Sequence, residues 1–168
     1  MSKDKTPQQK LWEMIKDIRF GMLTHRHTDG GLHSHPLTTQ NKELGEKGVL
    51  YFFVSRTTEV GSRLRVDGNV NVTYSDPHKD QYVSITGTAR ISEDMEAKQR
   101  LFNPMAKAWF PGGATDPDLE LVEVQITSAE YWDVKESKPT QLFKMAAAAV
   151  SGERPTMGEH HEVSVGAH

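Results

Sequence analysis

Residues 103–133 read NPMAKAWFPGGATDPDLELVEVQITSAEYWD, the most informative segment of the chain. It carries Trp109 and Phe110 at a helix end, then a Pro-Gly-Gly loop, an acidic turn, a strand and an aromatic pair. Pro111 stops the helix, because it supplies no backbone donor and forces Phe110 out of the helical region. Gly112 and Gly113 permit positive φ or close backbone approach, and Asp116-Pro117-Asp118 suits a turn. Between Leu119 and Ile126 the apolar positions change phase: Leu119 and Leu121 share one parity, Val122, Val124 and Ile126 the other. That change predicts a β-bulge near Leu121. Tyr131-Trp132 reads as a packed corner.

Upstream, Thr6-Pro7 opens a first helix, with Thr6 as N-cap and Pro7 at the first helical position. Leu11, Met14, Ile15 and Ile18 form its buried stripe. Strand signals follow. Gly21–His27 and Leu32–Gln40 flank the turn Thr28-Asp29-Gly30-Gly31. VLYFFV, Val49–Val54, suits a central strand. Thr57-Thr58-Glu59 caps a short helix through Val66. Val70, Val72 and Tyr74 alternate, as do Val83, Ile85, Gly87, Ala89 and Ile91, so both segments are strands with one buried face. Ser92-Glu93-Asp94 caps one helix running to about Phe110. A last helix, about Thr140 to Val150, ends at Gly152.

Six or seven strands with turns between them predict a mainly β (α+β) fold, a small antiparallel barrel with peripheral helices. Residues 1–152 are expected to form one domain and residues 153–168 a flexible polar tail. The chain has 168 residues, enough for one core. Its net charge of −3 excludes a global pull towards nucleic acid or anionic membrane. It has no cysteine, which excludes disulfides and thiol chemistry and fits a reducing cytoplasm. A polar N-terminus and the lack of a long apolar run predict neither signal peptide nor membrane span.

His25, His27, His33 and His35 crowd the first hairpin. If Asp29-Gly30 is a two-residue loop, His27 pairs with Leu32 and His25 with Ser34. His25 and His27 then lie on one face, His33 and His35 on the other, and no metal site is expected. A slip of one residue would merge the two faces. His160, His161 and His168 fall in the expected tail.

Over Leu11–Gly152 the chain resembles the general stress proteins of the pyridoxamine phosphate oxidase-like superfamily, most specifically in residues 103–133. The resemblance implies an FMN-binding split β-barrel. In that family an Arg-Pro-Met-(Thr) strand lies along the flavin, and the matching stretch here is His35-Pro36-Leu37-Thr38. An aromatic strand end and a Ser-x-Lys follow in the family. Here they correspond to Phe53, Val54, Ser55, Arg56, Thr57 and Thr58, with Val60 in the lysine's place. The departures at His35 and Val60 remove two basic phosphate contacts, together about 3–6 kcal/mol. Arg56, Arg63 and Arg65 around the short helix offer compensation. The expected FMN contacts are therefore His35, Pro36, Leu37, Thr38, Phe53, Val54, Ser55, Arg56, Thr57, Thr58 and Arg63, with Trp109 bordering the ring at a dimer interface.

No nucleophile–base constellation and no P-loop, G-x-S-x-G or H-E-x-x-H motif is present. The resemblance implies a cytoplasmic homodimeric flavoprotein, an FMN-dependent oxidoreductase of flavin reductase type. A flavin-binding or storage protein without turnover, or a cofactor-free dimeric barrel, is the alternative. No basic cluster for a second phosphate is visible, so oxidation of pyridoxamine phosphate itself is not expected.

Overall fold

A computed structural model describes residues 4–135, 138–156 and 158–165. Thr6 caps helix α1 (Pro7–Ile15) in a full capping box: its hydroxyl accepts from the Gln9 amide while the Gln9 side chain accepts from the Thr6 amide. Leu11 and Ile15, one helical turn apart, are buried in the main core. Seven antiparallel strands follow: β1 (Phe20–Arg26), β2 (Leu32–Thr38), β3 (Val49–Ser55), β4 (Asn69–Asp76), β5 (Gln81–Ser92), β6 (Leu119–Asp133) and β7 (Glu159–Ser164). Among the described residues, five α-helices accompany them: α1, α2 (Glu59–Leu64), α3 (Met95–Leu101), α4 (Pro104–Trp109) and α5 (Lys138–Ser151).

The strand order β2-β1-β4-β5-β6-β3 curls the sheet until its two ends meet at one bridge, Thr39↔Phe52. The fold is thus a split β-barrel: the alternating patterns predict a small barrel, and the resemblance implies its split form. Leu23, Leu50, Phe52, Val72, Tyr74, Ile85, Val122 and Val124 fill its interior. Beyond the bridge, Asn41 extends the seam with its side chain, accepting from the Tyr51 amide and donating to the Val49 carbonyl.

Several expectations are corrected. VLYFFV is not central but lies at the split, paired with β6 alone along its length. It is apolar throughout because both its faces are covered: Leu50, Phe52 and Val54 face the barrel, while Tyr51 and Phe53 pack against Ala97 and Leu101 of α3. The same two cores explain the phase change in β6. Leu121 packs under α3 while Val122, Val124 and Ile126 point inward; the register with β3 runs unbroken from Gln125 to Leu119, and that with β5 from Ile126 to its end at Leu121. The irregularity in β6 comes later: Thr86 pairs with Ser128 and Gly87 with Ile126, leaving Thr127 extra.

The single helix expected to reach Phe110 is two. Pro104 cannot continue α3, and Asn103 starts α4 by accepting the Ala106 amide. Tyr131 and Trp132 lie within β6 rather than at a corner. Residues 159–164, expected in a loose tail, form β7 on β6, where Trp132 stacks on His160 and Tyr131 on His161.

Inside the barrel the Tyr74 hydroxyl lies 2.5 Å from Thr39 Oγ1, tying β4 to the seam. Burial, only partly offset by Thr39, pushes the Tyr74 phenol up to about 12. The folded state therefore holds this proton more tightly than the unfolded chain does. Its contribution is fully present below the unfolded value near 10 and is lost as pH rises through about 12. Urea unfolding between pH 9 and 12 is expected to show an extra loss of about 2–3 kcal/mol in the wild type relative to Tyr74→Phe. Parallel pH profiles for the two proteins would disprove it.

Candidate functional site

The split is the first element of the site. On the strand registers, Pro36–Thr38 of β2 and Phe53–Ser55 of β3 follow outward from the Thr39↔Phe52 bridge, yet the two strands do not pair. Each therefore keeps one main-chain edge that no strand among the described residues covers there. Pro36, which has no amide to donate, is at home on such an edge. The structure therefore brings together the two stretches expected to border a flavin ring.

At the outer end of β3, the Ser55 hydroxyl donates to Asp118 Oδ1 at 2.7 Å and lies 2.9 Å from Thr57 Oγ1. The Arg56 amide donates to the Asp118 carbonyl. Asp116 shapes this turn by accepting the amides of Gly112 and Asp118. Thr58 caps α2, donating to the Ser55 carbonyl and accepting the Gly61 amide. Its hydroxyl is thus committed within the chain. Val60, expected where a phosphate-binding lysine would stand, is a core residue.

Under α2 lies a group that sequence reading missed. Glu120 is 1% exposed and points into the barrel end. Arg65 holds it with both terminal guanidinium nitrogens, Nη1 to Oε2 at 2.8 Å and Nη2 to Oε1, and Arg56 Nε stands 3.3 Å from Oε1. Gly61 makes room: a Cβ there would lie 3.3 Å from Glu120 Oε2 and 3.0 Å from the Ser55 carbonyl. Of the three arginines expected near a phosphate, Arg65 is therefore spent on Glu120 and Arg56 shares that carboxylate. Arg63 gives its Nε–H to the Arg26 carbonyl, and its terminal nitrogens form the free end of a five-donor fork.

The hairpin register differs from expectation. His27 N–H donates to the Gly31 carbonyl and Gly30 N–H to the His27 carbonyl, closing a three-residue loop at Thr28–Gly30. Gly30 takes φ +83°, the left-handed residue of a type I turn with a bulge. The pairs become His25↔His33 and Leu23↔His35, so all four histidines share the inward face of β1 and β2. Glu59, read from sequence only as a capping residue, reaches them from the start of α2. Glu59 Oε1 is 2.8 Å from His33 Nδ1, 3.6 Å from His27 Nε2 and 3.7 Å from His25 Nε2. His35 Nε2 lies 4.0 Å from Oε2 and 3.0 Å from His25 Nε2. Burial, reinforced by His25, holds the His35 imidazole below its ordinary range against the opposing pull of Glu59. His35, expected at a flavin phosphate, is thus turned into this cluster.

Trp109 and Phe110 part company. Phe110 is buried and anchors the Pro111–Gly113 loop, while Trp109 is 81% exposed, with Met105 exposed on the same helix. The start of α4 sits beside the seam, where Asn103 Nδ2 donates to Gln40 Oε1 at 2.7 Å and Phe102 packs on Phe53.

These features place the chain in a recognised group. The family described as "Pyridoxamine 5'-phosphate oxidase like" matches residues 6–156, and the chain belongs to it. Among named relatives, Protein bli-3 of Neurospora crassa is 26% identical over 165 residues, covering 92% of this chain and 78% of that protein. General stress protein 26 of Bacillus subtilis is 23% identical over 138 residues, covering 80% of this chain and 94% of the relative. Among solved structures, the general stress FMN/FAD binding protein of Xanthomonas citri aligns with a TM-score of 0.67 at 33% identity, covering 78% of this chain and 90% of that one. Among the described residues, no helix is long and apolar enough to cross a membrane.

Proposed function

We propose that this chain is a cytoplasmic, stress-related FMN-binding flavoprotein that works as a homodimer and as an oxidoreductase of the pyridoxamine phosphate oxidase-like type. The observation that carries the reading is the pair of main-chain edges at Pro36–Thr38 and Phe53–Ser55, which do not pair with each other and lie beside a single bridge. Such edges offer the backbone donors and acceptors that one side of an isoalloxazine ring needs. The name of the Xanthomonas citri relative, a general stress FMN/FAD binding protein, supports the same reading. Trp109 and Met105 on α4, and Phe20 and Met22 on β1, leave apolar surface for a second subunit to cover.

The phosphate end is arranged differently from the family pattern. With His35 and Thr58 engaged inside the chain, Arg56 and Arg63 are the cations left to meet a phosphate, together with the Thr57 hydroxyl. When bound, the flavin supplies hydride or electron transfer. The chain's part is to hold the ring edge along Leu37, Thr38 and Val54, and to neutralise the phosphate.

Fluorescence titration with FMN and with riboflavin tests this. FMN is expected to bind at least about tenfold tighter, since one charge-assisted hydrogen bond contributes about 1.5–3 kcal/mol. Arg63→Gln should weaken FMN by about that factor and leave riboflavin unchanged. Equal affinities would overturn the phosphate assignment, and no quenching by either ligand at micromolar protein would overturn the flavin assignment. On the same sample, sedimentation as a dimer is expected. Bleaching of the bound flavin by NADH or NADPH, with reoxidation in air, would separate an oxidoreductase from a storage protein.

A further inference from the structure

The histidine cluster under α2 is unused by the proposed flavin site and has the chemistry of a metal site. His25 is fully buried, and its Nδ1–H donates to the Arg26 carbonyl. That bond fixes the tautomer and leaves the Nε2 lone pair aimed into the cluster, as in imidazoles that ligate metals. His35 Nε2 stands 3.0 Å away. Glu59 Oε1 is buried and makes no hydrogen bond, although three imidazole nitrogens come within 3.7 Å of it. A buried carboxylate oxygen without a hydrogen bond, ringed by imidazoles, is a costly arrangement unless a cation completes it.

The spacing suits a small ion. Ligand atoms about 2.0–2.1 Å from a zinc ion at tetrahedral corners lie roughly 3.3 Å apart. His25 Nε2 and His35 Nε2 are 3.0 Å apart, His25 Nε2 and Glu59 Oε1 are 3.7 Å apart, and His35 Nε2 and Glu59 Oε2 are 4.0 Å apart. Ligand atoms of all three residues fall within 4.8 Å of one another. His33 Nδ1, 2.8 Å from Glu59 Oε1, and His27 beside it stand where they can orient the carboxylate.

We propose that His25 Nε2, His35 Nε2 and the Glu59 carboxylate bind one divalent first-row transition-metal ion, with zinc as the reference case, leaving one tetrahedral corner open. Imidazole with one carboxylate suits zinc and its neighbours rather than magnesium or calcium. The site pins β1 and β2 to the start of α2, so the ion acts on folding as well as binding. It does not rest on the flavin reading, and its test uses protein without added flavin.

Full-length, tag-free protein stripped with chelator is titrated calorimetrically with zinc sulfate. One equivalent is expected to bind with a Kd on the order of micromolar or tighter. Cobalt(II) in its place should give the visible absorption of a four-coordinate site. His35→Ala and Glu59→Gln, each checked for folding by circular dichroism, should weaken zinc at least about tenfold. His160→Ala should leave the tight equivalent unchanged, which separates this site from the exposed grouping of Glu130, His160 and Glu162. If Glu59→Gln fails to fold, His35→Ala alone decides the matter. Zinc binding as tight in His35→Ala as in the wild type, or no uptake by the wild type at micromolar zinc, would overturn the proposal and leave the cluster a hydrogen-bonded polar knot.

Discussion

Phe52→Ala is expected to destabilise the protein by about 3–5 kcal/mol. Phe52 is fully buried, pairs with Val122 and forms the one bridge, to Thr39, at which the barrel closes. Truncation removes the ring from the interior and leaves a cavity behind the seam, where the surrounding strands can collapse only in part. Urea unfolding at fixed protein concentration measures the loss. Hydrogen exchange adds a local readout, because the Gln40 amide, bonded to the Tyr51 carbonyl, should lose protection with the seam. A loss below about 1 kcal/mol would mean that the seam is not held by packing.

The second large effect concerns the carboxylate beneath α2. Arg65→Met should cost about 2–4 kcal/mol, because it leaves Glu120 buried with Arg56 as its remaining partner. The figure falls below that of a fully enclosed pair because the Arg65 side chain is itself 40% exposed and its charge is screened by water. The informative comparison is the double variant Arg65→Met with Glu120→Gln. Removing both charges should recover a substantial part of the loss, since the main penalty is an uncompensated buried ion. Additive losses in chemical denaturation would refute that account.

The strands were legible because they alternate. Val70, Val72 and Tyr74, and then Val83, Ile85, Gly87 and Ala89, need only a single buried face, and period-two patterns report it directly. β3 and β6 were harder, because two separate cores cover their two faces. A continuous apolar run then carries no information about position in the sheet, and a phase change imitates a bulge. The two edges of the candidate flavin site were found through resemblance, not through periodicity.

The histidine cluster shows where local reading fails. Asp29-Gly30 suits a two-residue loop and a three-residue loop equally well, and one residue of register decides whether four imidazoles meet. The signal that could have chosen is Gly30 as the left-handed residue of a bulged turn. Glu59 and Glu120 carried no signal at all. Each comes to its partners from a distant stretch of chain, and a carboxylate at a helix start or in a strand looks like surface until those partners are placed. The helix break at Asn103-Pro104 was legible in principle, since proline there forbids a continuous helix.

The order of strands has a consequence in time. β1 and β2 can meet as soon as they leave the ribosome, but Val49 must wait for Gln125, and Asp133 for Glu159. One edge of β6 is shared end to end by β3 and β7, so it is completed only when nearly the whole chain has been made. Until Leu119–Gln125 has been made, VLYFFV is a nascent apolar strand without its β6 partner, and loop closure must precede the contacts that reward it. The protein therefore emerges with this apolar segment early and the segment's cover late, a sequence of events in which a chaperone would have a defined stretch to hold and a defined moment to let go.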